Sequence, residues 1–153
     1  MKLDSRLSGV LHALLHMAEA DGPATSEMLA RAMHTNPVVV RRQMAGLRHA
    51  GFVVSAKGHG GGWMLSCNLA EVTLGDIHEA LGAPRLLAVG HREAQPACLV
   101  EQAVNAALDT TYREAEAMLL ARLHAVTLAS LSADFHRRMV ATHSHPKDLD
   151  HAA

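Results

Sequence analysis

The chain has 153 residues, a formal charge of −1, 3% aromatic residues and two cysteines. That length suits one compact domain with an appended helix. The cysteine count excludes a disulfide framework, and no apolar run is long enough to span a bilayer. The core must therefore be built from Leu, Val, Ala and Met, a composition that favours helices.

The charge is unevenly placed. Met1 to Trp63 carries seven Lys/Arg against four Asp/Glu, and the stretch from Met28 to Ala70 has no acid at all. It holds Arg31, Arg41, Arg42, Arg48 and Lys57. Local positive charge of this kind, and not the total, sets affinity for phosphate. No signal peptide or lipid-anchor motif is legible, so a reducing cytoplasm is the expected setting.

The first helix is predicted from Ser5 to Ala20, with Leu7, Leu11, Leu14, Leu15 and Ala18 on one side and Asp21-Gly22-Pro23 as its stop. Thr25 or Ser26 caps a short second helix, whose buried side is expected to be Met28, Leu29 and Ala32. After a turn at His34-Thr35, Asn36 caps a third helix with Pro37 in its first position, closing at Gly51. At 100° per residue, Val40, Met44 and Leu47 share its inner side. Val38, Arg42, Ala45 and His49 lie opposite, with Arg41 at the flank. Two helices joined by so short a turn read as a helix-turn-helix. Arginine can hydrogen-bond guanine, and Val or Ala can touch a thymine methyl.

The strand formers of Phe52–Ala56 and Trp63–Cys67 flank a Gly58-His59-Gly60-Gly61-Gly62 tip, a hairpin in the position of a wing. Lys57, His59 and the amides of Gly60 and Gly61 are the expected phosphate or minor-groove contacts at the tip, with Thr35 and Asn36 at the entrance to the third helix. Thr73 with Asp76 three residues on makes a capping-box start for a helix to about Leu81, broken by Gly82-Ala83-Pro84. The longest helix is expected over Leu99–Ala125. Its stripe includes Val104, Leu108, Ala115, Met118, Leu119 and Arg122, and is assigned to packing on a second copy. A short last helix runs from Thr127 to Phe135, and a mobile tail is expected from His136.

The expected fold is mainly α with a small β-hairpin wing. It comprises a winged helix-turn-helix over residues 1–83, a sensor loop and dimerisation helices over 84–135, and a disordered tail over 136–153. Cys98 opens the long helix, where a helix N-terminus favours the thiolate, so it is the candidate redox sensor. His12 and His16 have the spacing of a metal pair but read as a solvated face. No HExxH, nucleophile elbow, P-loop or paired carboxylates are present, which excludes the familiar enzyme classes. The rival that remains is a winged protein-interaction module without DNA contact.

Several strings resemble the Rrf-two family of winged-helix regulators, typified by IscR, NsrR and CymR. Leu47-Arg48-His49-Ala50-Gly51-Phe52-Val53 resembles its LRKAGLV helix end, and Lys57-Gly58-His59-Gly60-Gly61-Gly62-Trp63 its RGPGGGY wing. Val72-Thr73-Leu74-Gly75-Asp76-Ile77 and Val126-Thr127-Leu128-Ala129-Ser130-Leu131 resemble two further family strings. The resemblance spans about Met1 to Leu131. It implies a homodimer that binds double-stranded DNA at a partly palindromic operator and usually represses. It also implies a third helix in the major groove and a wing in the minor groove. Cluster-binding relatives place three cysteines before the long helix, where this chain has only Cys98. No cofactor is therefore expected, and His12, His91 and Cys98 are the donors left for an atypical metal or iron–sulfur site.

Overall fold

The computed structural model describes residues 5–87, 89–91 and 97–143. Its elements are α1 (Arg6–Glu19), α2 (Ser26–Ala32), α3 (Pro37–His49), β1 (Val53–Ala56), β2 (Gly62–Leu65), α4 (Leu74–Ala80), α5 (Leu99–His124) and α6 (Leu128–His143). The architecture is mainly helical with one antiparallel hairpin, as the sequence predicts.

Local signals set the helix starts. The Thr25 hydroxyl accepts the amide of Met28, and Asn36 Oδ1 accepts those of Val38 and Val39 at 3.0 and 3.1 Å. Thr73 and Asp76 close a reciprocal capping box on α4. The turn between α2 and α3 places His34 at φ +52, and the Thr35 amide reaches back to the carbonyl of Ala30. Histidine is among the few non-glycine types enriched in that left-handed region. Gly51 takes φ +85 and lets the Phe52 amide bond the carbonyl of Leu47, which ends α3.

One core joins these pieces. Val10 and Leu14 of α1, Leu29 of α2, Val40, Met44 and Leu47 of α3, Val53 of β1 and Ile77 of α4 are all buried together. The buried side of α2 is Leu29 and Ala30, not Met28, Leu29 and Ala32 as expected: Met28 is 55% exposed and Ala32 half-buried. With only seven residues, α2 carries too little periodicity to orient its own face, and packing between α1 and α3 decides it. Leu47 is fully buried, so Leu47→Ala should cost ~2–5 kcal/mol, read as a lower midpoint in thermal or urea unfolding.

The hairpin pairs Val53 with Leu65 and Ala56 with Gly62. It is tied to the helices in two ways. Ala24 and Trp63 exchange both backbone hydrogen bonds, and the Trp63 indole donates to Ser26 Oγ at 3.1 Å. A side chain at Gly62 would strike the Ala24 carbonyl, so glycine permits this third-strand contact.

The long helix α5 buries none of its own residues within the chain. It is held mainly at its C-terminal end. The segment after it runs beside the start of α4, where the Leu74 amide bonds the Val126 carbonyl and the Leu128 amide bonds that of Val72. Leu128 plugs the core, and His124 rests on Gly75 with Nε2 3.1 Å from Glu79 Oε1. The final helix is longer than expected: it continues from Phe135 through His143, replacing the mobile chain assigned to residues 136–143. Asp134 holds Arg137 and Arg138, three and four residues on, and His136 reaches Glu19 of α1 at 3.2 Å. Residues 144–153 lie outside the described part of the chain.

Candidate nucleic-acid interface

The outer face of α3 is cationic. Arg41, Arg42, Arg48 and His49 are exposed beside exposed Val38 and Ala45, while Val40, Gln43, Met44 and Leu47 face inward. Such a mixture offers guanidinium donors and small apolar groups, the two things that read base edges in a major groove. Arg42 makes no ion pair among the described residues. Arg41 does: its Nη2 lies 3.2 Å from Glu27 Oε1 of α2, with both side chains 56% exposed. A pair so exposed contributes little, ~0–1 kcal/mol, and can open for a phosphate. Glu27 sits one residue outside the acid-free run, and only the fold brings it to Arg41.

Other expected contacts fare differently. Thr35 is half-buried. Asn36 is exposed, but its carbonyl oxygen is already engaged by two helix amides, which leaves its amide nitrogen. Lys57, His59 and Gly60 are exposed at the hairpin tip. The Gly61 amide is not free for a phosphate, because it donates to the Gly58 carbonyl at 3.1 Å. Gly61 serves the turn itself, since any side chain there would meet the Ala56 carbonyl.

Along α5, Val104 is 50% exposed, Leu108 39%, Met118 75% and Leu119 43%. Ala115 is half-buried and Arg122 exposed on the same side. A stripe of this length and apolarity, uncovered within the chain, has the character of an association surface.

Cys98 is the exposed N-cap of α5. Its thiol makes no capping hydrogen bond, yet the open amides of Glu101 and then Val100 draw its pKa below the ordinary thiol value. Cys67 is half-buried beside the core, and burial raises its pKa. The candidate metal donors are not brought together. His91 Nε2 lies 2.8 Å from Asp109 Oδ1 of α5, and His12 Nε2 lies 2.8 Å from His16 Nε2 on the exposed side of α1. Among the described residues no group of three or more His, Cys, Asp or Glu is placed to hold a metal. His12 is paired with His16 and His91 with Asp109, so among the described residues the atypical site expected from sequence does not form within one chain.

Together, a capped second helix, a glycine hairpin pinned to the first two helices and a cationic outer face define a winged helix-turn-helix protein. A profile described as "Iron-dependent Transcriptional regulator", that of Rrf2, matches residues 3–134. The chain belongs to the Rrf2 family of transcriptional regulators, which are not enzymes. It is 31% identical over 114 residues to YwnA of Bacillus subtilis (strain 168), a protein described as an HTH-type transcriptional regulator, covering 74% of this chain and 84% of that one. A Lactobacillus plantarum protein described as a transcriptional regulator superposes with TM-score 0.70 at 25% identity, covering 92% and 99% of the two chains. IscR of T. potens shares the fold at TM-score 0.62 and 19% identity, with 88% of each chain covered. Among the described residues no donors converge to fit the iron of the family description within one subunit. Among the described residues no helix is long and apolar enough to cross a membrane.

Proposed function

We propose that this regulator works as a homodimer that represses transcription by occupying a partly palindromic operator. Each subunit seats α3 in a major groove through Arg42, Arg41, Val38 and Ala45, with Thr35 and Asn36 at its entrance. The wing, with Lys57, His59 and Gly60, follows the adjoining backbone or minor groove. Residues 1–83 form the DNA-binding unit, and residues from 84 onward pair the subunits through α5. The observation that carries this reading is the acid-free outer face of α3, which bears Arg41, Arg42 and Arg48. Duplexes selected from a random library, titrated at several salt concentrations, test it. The logarithm of the affinity should fall steeply with that of salt, by ~0.9 for each phosphate contact. A flat salt response, or failure to enrich any sequence, would favour a protein-interaction module.

The lowered pKa of Cys98 favours a redox-responsive version of this regulator. Its thiolate attacks a peroxide oxygen, giving a sulfenic acid and hydroxide. Iodoacetamide should modify Cys98 well before Cys67. The midpoint of its pH–rate profile should lie below that of the same residue in denatured protein, because the folded state favours the thiolate. Peroxide should weaken operator binding by the native chain but not by Cys98→Ser. Equal sensitivity of the two proteins removes the switch and leaves the DNA reading intact.

A further inference from the structure

We propose that the cleft between the loop after α4 and the middle of α5 binds a small zwitterion of the amino-acid class, as an effector of the regulator. The effector role rests on the DNA-binding reading above, whereas the binding itself does not. Arg85, Leu87 and Val89 of that loop face Asp109, Tyr112, Arg113 and Glu116 of α5 across an open cleft of about 380 Å³. That is within the usual range for small-molecule sites, about 300–1,000 Å³.

The α5 wall is Asp109, Tyr112, Arg113 and Glu116, spaced by three and four residues on one helical face. At 100° per residue this face is turned roughly a third of a circle from the Val104–Leu119 stripe. Pairing of subunits through that stripe therefore need not fill the cleft.

The charges in the cleft are mixed. The cations are Arg85, which has no ion-pair partner among the described residues, and Arg113, held along α5 by the Asp109 carbonyl and Thr110 Oγ1. The anions are Asp109, steadied by His91 at 2.8 Å, and Glu116, whose Oε1 accepts the Leu86 amide at 3.0 Å. A simple anion would meet two carboxylates here, and a simple cation two guanidinium groups. A ligand carrying both a carboxylate and an ammonium satisfies each pair, the carboxylate on a guanidinium fork. The Tyr112 ring with Leu87 and Val89 supplies an apolar wall for the ligand's side chain.

Isothermal titration of the full chain, without DNA, against the standard amino acids tests this, with acetate and methylamine as single-charge controls. At least one amino acid should bind while neither control does. Arg85→Gln and Arg113→Gln should each weaken that binding at least tenfold without lowering the unliganded melting temperature. Adding the bound amino acid should change operator affinity of the native chain, and not that of Arg85→Gln. The proposal is overturned if no amino acid binds, if acetate binds as well as the amino acid, or if the arginine variants bind like the native chain. Binding that leaves operator affinity unchanged overturns the effector role. Absence of operator binding both with and without the amino acid is a different result: it would count against the DNA reading and leave the titration to judge the cleft.

Discussion

Arg42→Ala should weaken binding of the selected operator by about 5- to 150-fold, equivalent to ~1–3 kcal/mol, and should relax sequence preference at one base pair per half-site. The reasoning starts from the backbone. Asn36 and Pro37 fix where α3 begins, so its residues have fixed directions. Val40, Met44 and Leu47 are fully buried and allow no rotation of the helix about its axis. Arg42 is then obliged to point outward, and no acid among the described residues neutralises it. A guanidinium so placed presents a rigid fork to a guanine edge. Lys57→Ala should behave differently, with a smaller loss spread evenly over all duplexes, because a phosphate contact carries no sequence information. Measuring both variants against matched and mismatched duplexes separates the two roles.

Leu108→Glu should convert a dimer into a monomer at micromolar protein and reduce operator affinity by roughly 10²- to 10⁴-fold. The first effect follows from the burial that the proposed dimer would impose. Leu108 lies in the middle of a stripe with Val104 and Leu119, and a carboxylate desolvated in a symmetric contact there, without a partner, would cost several kcal/mol on each side. The second follows from linkage. Two half-sites bound by joined subunits gain effective concentration of about that magnitude, and the monomer forfeits it. The fold itself should survive, since α5 buries none of its residues within the chain. Sedimentation velocity reads the association state, and circular dichroism the retained helix.

Much of this molecule was legible because its signals are local. The Asn36-Pro37 start, the Gly51 stop and the Thr73/Asp76 box each act within a few residues, and the structure places them as expected. The inner side of α3 was legible from periodicity, because thirteen residues give enough turns for a face to be defined. What was not legible depends on chain-distant partners. Glu27 reaches Arg41 only because α2 packs on α3. Gln43, a polar residue on an otherwise apolar side, is buried with its Oε1 unpartnered among the described residues, and nothing in its flanking sequence marks it. The extension of α6 beyond Phe135 rests on Asp134 with two arginines and on the contact of His136 with α1, where histidine-rich composition alone suggested loose chain. That His91 meets Asp109 was equally invisible to spacing.

The functional account comes down to two α3 helices, linked through α5, reading one duplex from one side. Hydroxyl-radical footprinting of the selected operator measures this most directly. The prediction is two protected half-sites with centres one helical turn or a multiple apart, and their joint loss with Leu108→Glu. A single unpaired patch of protection, or a footprint unchanged by Leu108→Glu, would contradict it.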